Sequence, residues 1–502
     1  MTANLFAALT AGKDRDKVAL ILSDGRTISY GALCDRAGQF ANRLHALGVR
    51  PGDRIAVQVE KSGEALMLYL ASLRAGAVYL PLNTGYTAAE LAYFLNDAEP
   101  ALLVTAPSAE VQAMQLAEGC GATLRTLGED GSTGSLLDAI DDESTSFDDV
   151  ARGADDLAAI LYTSGTTGRS KGAMLSHGNL LSNAATLVEA WRFDGSDELL
   201  HALPIYHTHG LFVGTNVPLL AGAAIRLLPR FDPDAVFAAL RTATVMMGVP
   251  TFYTRLLADS RLDAASTANV RLFVSGSAPL LAETHRAWKA ATGHMILERY
   301  GMTETNMNTS NPYDGERRPG TVGPALPGVS VRVVEEASGA AIPAGEVGMI
   351  EVRGPNVFQG YWRMPEKTEA EFRDGYFITG DLGRISPDGY VEIVGRGKDL
   401  VITGGLNVYP KEVETEIDAI EGVEESAVIG LPHPDFGEAV TAIVIRRPGA
   451  TVDADRILAA LSERLARFKL PKAVIFRDAL PRNSMGKVQK NLLRDGHSGH
   501  YS

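Results

Sequence analysis

Thr163-Ser164-Gly165-Thr166-Thr167-Gly168-Arg169-Ser170-Lys171-Gly172 follows directly on the apolar run Ala158-Ala159-Ile160-Leu161-Tyr162. The ten residues carry three glycines, five hydroxyls and two cations. A buried strand that empties into such a loop suits a polyphosphate. Glycine lets backbone N–H groups approach oxyanions, the hydroxyls donate further hydrogen bonds, and Lys171 adds charge. The stretch is not a Walker loop, which has a longer spacer before its Gly-Lys-Ser/Thr. Here Gly165 and Gly168 are too close together, and Lys171 is followed by Gly172.

On either side of this loop, short apolar runs alternate with amphipathic stretches. Arg54–Val59, Leu102–Thr105, Ala158–Tyr162, Ile225–Leu228, Val245–Gly248 and Leu272–Val274 read as strands. Leu66–Arg74, Ala88–Asn96, Pro233–Arg241 and Leu280–Ala291 read as helices. That alternation predicts an α/β fold of parallel layers. Leu66, Tyr69 and Leu70 share a helical face, as do Leu91, Phe94 and Leu95, and all are assigned to the core. Residues 128–156, acidic and rich in Ser and Gly, read as a surface loop. From 321 to 394 the pattern turns to strands with glycine turns (Val329–Val334, Met349–Arg353, Val391–Val394), predicting a small β-barrel-like subdomain. Beyond Gly395 a compact α+β unit is expected. Its helices are Tyr409–Ile420 and Asp453–Phe468, and its strands are Ala427–Ile429, Ala439–Arg446 and Ala473–Arg477. The expected domains are 1–395 and 396–502, with a disordered tail from Gly496.

Composition narrows the function classes. A chain of 502 residues exceeds one ordinary core, and 45% hydrophobic with 22% charged residues is a globular balance. A net charge of −14 with no Lys/Arg block argues against nonspecific nucleic-acid binding. Two cysteines, Cys34 and Cys120, form no CxxC pair, so zinc and dithiol chemistry are poorly supported, and a cytoplasmic setting with reduced thiols is expected. The N-terminus shows no signal-peptide pattern. Residues 210–225 lack charge, but Asn216, Pro218 and three glycines interrupt them, which predicts a buried core segment rather than a membrane span.

The Thr163–Gly172 loop closely resembles the signature loop of the adenylate-forming superfamily: acyl-CoA synthetases, luciferases and peptide-synthetase adenylation domains. Further motifs occur in the superfamily's order: Tyr300-Gly301-Met302-Thr303-Glu304-Thr305, Thr379-Gly380-Asp381, Gly395-Arg396-Gly397-Lys398-Asp399 and Pro481-Arg482-Asn483-Ser484-Met485-Gly486-Lys487. The resemblance covers nearly the whole chain. It implies ATP, Mg²⁺ and coenzyme A as the small molecules handled. Thr163, Ser164, Gly165, Thr166, Thr167, Gly168 and Lys171 would hold the β- and γ-phosphates. Tyr300 would stack on adenine, beside Ser277 and Ala278. Thr303 would bond the α-phosphate, and Glu304 would bind Mg²⁺. Asp381 would take the ribose hydroxyls, and Arg396 would support the ribose or phosphate. Lys487 would stand between the α-phosphate and the substrate carboxylate. Lys398 would be the hinge of a mobile C-terminal domain, whose Gly404 and Gly405 would approach the CoA arm. The spacing from Pro481 to Gly486-Lys487 is also similar to the site that lysine acetyltransferases modify in related ligases.

The acid pocket is expected to be polar. His207-Thr208-His209-Gly210 and Thr305-Asn306-Met307-Asn308-Thr309-Ser310-Asn311 lie where fatty-acyl relatives place an apolar tunnel. With Thr284-His285-Arg286-Ala287-Trp288, these features resemble malonyl-CoA synthetases. The resemblance implies His207, Thr208, Ser277, Arg286 and Met307 around the acid, with Arg286 on the second carboxylate of malonate or methylmalonate. His207 is read as a pocket wall, because a carboxylate that is already ionised needs no base. Two other classes stay open: a stand-alone adenylation enzyme loading a carrier protein, and a nucleotide-binding regulator that turns over ATP without an acid. Oxidation of a luciferase kind has no supporting residue.

Overall fold

The structure, a computed structural model, describes residues 3–163, 170–403, 406–434, 436–465, 467–483 and 486–501, without the side chain of Asn407. By their contacts these residues form two compact units, Met1–Ser330 with Val352–Phe377, and Val331–Glu351 with Ile378–Ser502.

The first unit is built on two sheets. The six-stranded sheet runs Thr123–Thr126, Leu102–Thr105, Arg54–Gln58, Val78–Pro81, Leu157–Thr163, Lys171–Ser176. Its pairs are parallel up to the last, where Leu157–Thr163 turns back antiparallel into Lys171–Ser176. The Gly- and hydroxyl-rich stretch is therefore flanked by an antiparallel strand pair at a sheet edge, and its residues 164–169 lie outside the described residues. The eight-stranded sheet runs Asn306–Ser310, Leu297–Met302, Leu272–Ser275, Val245–Gly248, Glu198–His201, Ala224–Leu227, Val18–Ile21, Thr27–Ser29. It is parallel except at its two ends. Strands such as Val78–Pro81 and Leu102–Thr105 are buried on both faces, which is why they read as unbroken apolar runs.

One hydrophobic core joins the two sheets, with Val57, Tyr79 and Val104 from the first and Leu20, Ile225 and Leu227 from the second. The helix Gly63–Arg74 lies within it. Ser62 caps its start by accepting from Ala65 N–H, and ten of its twelve residues are buried. Leu66, Tyr69 and Leu70 do face the core, but so do Met67, Leu68 and Leu73, as expected for a helix apolar all round. The uncharged segment after Thr208 is also core. It forms a buried π-helix, His209–Asn216, continued by Val217–Ala221. The acidic stretch 128–156 is better anchored than a free loop. Leu136 and Ile140 are buried, and the Asn42 amide donates to the carbonyls of Ser144 (2.7 Å) and Ser146 (3.0 Å).

In the second unit, Tyr376–Ile385 pairs antiparallel with Val391–Arg396. The small β region that the sequence reading placed before residue 396 thus groups largely with the C-terminal residues. The α+β part is organised by a long hairpin, Val423–His433 with Gly437–Arg446, flanked by Ala473–Arg477 and Val401–Thr403. Pro410–Asp418 and Ala454–Ser462 pack their apolar faces on it. The end of the chain is ordered rather than loose. Lys490–His497 is a helix with Leu493 buried, and the Tyr501 hydroxyl lies 2.9 Å from Thr441 Oγ1. Among the described residues no helix is long and apolar enough to cross a membrane.

Candidate active site

The hairpin of Leu297–Met302 and Asn306–Ser310 carries Tyr300, Thr303 and Glu304 at its end. It closes tightly because position 301 is glycine: a Cβ there would lie 1.9 Å from the Asn306 carbonyl oxygen. Behind the turn is an amide scaffold. Asn308 donates to Thr305 Oγ1 (2.7 Å), and Asn356 donates to the Thr305 carbonyl (2.6 Å) and to Asn308 Oδ1 (3.1 Å). Asn183 donates to the Met307 carbonyl (2.9 Å), and Asn311 donates to those of Glu298 (3.1 Å) and Thr321 (2.9 Å). The polar run after Glu304, expected to line an acid pocket, is thus largely spent on holding this turn.

Glu304 is buried, and burial raises its carboxyl above the usual range. Its Oε1 accepts from the Tyr361 hydroxyl at 3.0 Å. That hydroxyl also meets Glu371 Oε2 at 2.7 Å, and Glu371 Oε1 is paired with Lys171 (2.9 Å) and Lys367 (2.8 Å). Lys171 Nζ sits 4.0 Å above the Tyr361 ring. The cation of the phosphate loop and the carboxylate expected to hold a metal therefore meet at one tyrosine. Thr163 ends its strand opposite Lys171, with Oγ1 3.4 Å from the Lys171 carbonyl. Ser164, Gly165, Thr166, Thr167 and Gly168 lie outside the described residues, as do Gly404 and Gly405. Glu304 forms no ion pair among the described residues. An acceptor-only carboxylate in that setting could hold a hard cation that takes its other ligands from phosphate and water.

Of the residues expected around the acid, His207, Thr208 and Met307 lie near Ser277, whose backbone adopts φ +69°. Its hydroxyl lies 3.2 Å from His209 Nδ1, and the His209 N–H donates to His207 Nδ1 at 3.2 Å. Burial and then the nearby Arg299 push His207 down to about 4, and the same causes hold His209 well below its usual range. Both imidazoles are neutral at pH 7. Thr208 Oγ1 and His209 Nε2 are buried without a hydrogen-bond partner. Ala278 follows Ser277, and Met307 is buried in the adjoining hairpin.

Arg286 is not part of this group. Its helix, Ala282–Thr292, buries Thr284, His285, Trp288 and Thr292, and Arg286 lies on the exposed side. His285 bonds the Ile296 carbonyl (2.9 Å) and Trp288 packs against Tyr253 and Phe273, so the motif around Arg286 is core packing. The guanidinium at the acid-side group is Arg299, which is 4% exposed. Its Nε and Nη2 have no hydrogen-bond partner, and burial pushes it down to about 9. Gly276 leaves room for it, since a Cβ there would come within 2.4 Å of Arg299 Cζ. The sequence did carry a signal: Glu298-Arg299 is a charged pair inside an otherwise apolar strand. Tyr361 and Glu371 had no comparable mark.

The second unit holds its own cluster. Asp381 and Arg396 face each other across paired strands, Oδ1 to Nε 3.2 Å, and Asp381 is buried. Lys398 sits in the turn Gly397–Asp399, inside this unit rather than at its border. Burial, then Arg396 and Lys398, push Lys487 down to about 8, against the opposing pull of Asp381 and Asp399. The Lys487 turn is well fixed. Asn483 Oδ1 accepts from Lys487 N–H (2.9 Å), and Arg482 donates to the Gly486 carbonyl (2.7 Å) while pairing with Glu425. Three cations held close together form a site that an anion would stabilise.

Residues 8–362 match the AMP-binding enzyme family, and residues 412–487 match the AMP-binding enzyme C-terminal domain. The chain is similar to the crystal structure of ATP-bound MatB from Rhodopseudomonas palustris, with 63% identity, TM-score 0.99 and 100% of each chain covered. It is 34% identical to a malonate–CoA ligase of Arabidopsis thaliana over 96% of this chain and 87% of the relative. It is 38% identical to a feruloyl-CoA synthase of Amycolatopsis sp over 94% of each.

Proposed function

The chain belongs to the AMP-binding enzyme family, and we propose that it is an AMP-forming acid–thiol ligase that joins malonate, or methylmalonate, to coenzyme A. A carboxylate resists nucleophilic attack because of its own charge. In the first half-reaction one malonate oxygen attacks the α-phosphorus of ATP, and pyrophosphate leaves with the electrons of the broken P–O bond. In the second, the CoA sulfur attacks the acyl carbon and gives up its thiol proton to water, and AMP leaves with the electrons of the broken acyl C–O bond.

Each step places charge at phosphorus, where preorganised cations act most strongly. Lys487 holds the attacking carboxylate against the α-phosphate, offsetting the repulsion of two anions that must approach within about 3–3.5 Å. Thr303 bonds the α-phosphate, and the loop from Thr163 to Lys171 holds the β- and γ-phosphates. Tyr300, Ser277 and Ala278 hold adenine, Asp381 accepts from the ribose hydroxyls, and Arg396 steadies them. Glu304 would hold a divalent ion, which would supply positive charge to offset that of the phosphates. Lys398 is the pivot between half-reactions, and Gly404 and Gly405 admit the CoA arm. Lys487, in its Pro481–Gly486 setting, is also the natural target of an acetyltransferase, because acetylation removes the charge the first step needs. The substrates and the two free thiols, Cys34 and Cys120, fit the cytoplasm.

The observation that favours a dicarboxylate is Arg299. A buried guanidinium with two unpaired nitrogens lacks a counter-charge, and the second carboxylate of malonate would supply one. The neutral His207 and His209, with Thr208 and Ser277, add hydrogen-bonding groups without adding charge. Replacing Arg299 with Met keeps volume and removes the charge. Truncating one member of a buried charge pair costs about 2–5 kcal/mol, so kcat/KM for malonate should fall roughly 30-fold or more. Acetate, which has no second carboxylate, should be little affected. Equal losses for both acids would remove Arg299 from acid recognition.

A further inference from the structure

Tyr361 is fixed from three directions. Its backbone pairs with Ala173, next to the phosphate-loop strand, and its N–H donates to Thr368 Oγ1 at 2.9 Å. The neighbouring Gly360 carbonyl accepts from Met174 N–H at 3.0 Å, and Trp362 N–H donates to the Gly172 carbonyl at 2.7 Å. The ring is buried against Phe358, with centroids 4.9 Å apart, and Phe358 N–H donates to the Glu304 carbonyl at 2.7 Å. Backbone bonds thus tie the tyrosine both to the strand that begins at Lys171 and to the turn that carries Glu304. Its hydroxyl ends 3.0 Å from Glu304 Oε1 and 2.7 Å from Glu371 Oε2.

We propose that Tyr361 is a positioning residue that aims the Glu304 carboxylate at its divalent cation, a role that rests on the metal reading of Glu304 given above. A carboxylate on a short stem has two oxygens and a free terminal rotation. Binding Oε1 to a hydroxyl that cannot move fixes the plane of the carboxylate and leaves its remaining lone pairs in one orientation. The single phenolic proton is shared between Glu304 Oε1 and Glu371 Oε2, which lie on either side of it. Lys171 and Lys367 pair with Glu371 Oε1 and compensate its charge, so this second carboxylate is occupied and does not compete for the cation. The arrangement also explains why an aromatic rather than a short hydroxyl residue stands here. Only a side chain of that length reaches from the edge of the hairpin sheet to Glu304 while its face carries Lys171 at 4.0 Å. Partners that orient metal ligands typically account for about 10- to 100-fold in metal affinity.

The test uses the full chain with Mn²⁺ as the probe, in the presence of an ATP analogue whose α–β bridge is methylene. Free Mn²⁺ is read by its electron paramagnetic resonance signal, which does not depend on turnover. Tyr361→Phe, which keeps the ring and its packing, should weaken Mn²⁺ binding about 10-fold or more. Binding of the analogue without metal should stay at the native value. Glu304→Gln should weaken Mn²⁺ binding at least as much. If Glu304→Gln loses Mn²⁺ and Tyr361→Phe binds it like the native enzyme, the positioning role is wrong and the metal reading of Glu304 stands. If Glu304→Gln itself binds Mn²⁺ normally, both fall together. If Tyr361→Phe weakens the metal-free analogue by the same factor as Mn²⁺, the tyrosine supports the nucleotide site at large and the proposal is overturned.

Discussion

Lys487 is the residue on which the proposed first half-reaction depends, and its surroundings make its charge conditional. Burial and two neighbouring cations bring it to about 8 in the free enzyme. A lowered pKa means the ammonium form is dominant below about 8 and is lost as pH rises through that value. Since kcat/KM reports groups of the free enzyme, adenylation by this measure should fall above about pH 8. A bound triphosphate favours the cation, so the limb seen in kcat should lie at higher pH. Lys487→Arg should flatten the limb, because a guanidinium stays protonated throughout this range. Lys487→Ala should slow adenylation about a hundred- to thousandfold, the size usual for an electrostatic group at developing charge. Thioester formation from supplied malonyl-adenylate should largely survive. Native adenylation rates in Lys487→Ala would remove the lysine from the mechanism. A limb unchanged in Lys487→Arg would assign the titration to another group.

At the scale of elements, the hairpin Leu297–Met302/Asn306–Ser310 sets three functional side chains with one turn, and Gly301 is its weak point. Gly301→Ala forces a methyl into the Asn306 carbonyl, 1.9 Å away, so the two strands must part. Overpacking of this kind costs about 1–3 kcal/mol. The expected result is a lower melting temperature together with loss of ATP binding, because Tyr300, Thr303 and Glu304 shift together. Retention of native ATP affinity would show that the turn tolerates the change. Elements of this sort were legible in part. Leu102–Thr105 and Ala473–Arg477 were readable to the residue, since apolar runs bounded by polar or turn residues mark strands well. The helix around Arg286 was also legible, but its face was not. Thr284, His285, Trp288 and Thr292 follow the helical repeat and go inward, and Arg286 falls between them on the outer side. Arg299 was marked only as part of the charged pair Glu298-Arg299 in an apolar strand. Because both residues of the pair are buried, that mark alone does not tell which of the two faces the candidate site. Tyr361 and Glu371 escaped because the chain brings them to Glu304 only through tertiary pairing, as Ala173 with Tyr361.

Across the whole molecule, a chain of net charge −14 handles anionic substrates by concentrating cations locally. In the proposed account Lys171 and Arg299 do so in the first compact unit, and Arg396, Lys398 and Lys487 do so in the second. That the chain divides was legible from sequence. The boundary was less so, because residues 331–351 leave the first unit and return to it at 352, a path that no linear pattern announces. The same layout would serve many acids, as the similarity to both malonate and feruloyl ligases illustrates. The feature that favours a dicarboxylate here is the buried Arg299 guanidinium, whose Nε and Nη2 have no hydrogen-bond partner, near the neutral His207 and His209. The most direct measurement is therefore ATP- and CoA-dependent thioester formation by the native enzyme with malonate, acetate and octanoate compared in one assay with Mg²⁺. Malonate should be used far better than either monocarboxylate, with AMP and pyrophosphate released in step with thioester. A preference for octanoate, or pyrophosphate release without any thioester, would contradict the account.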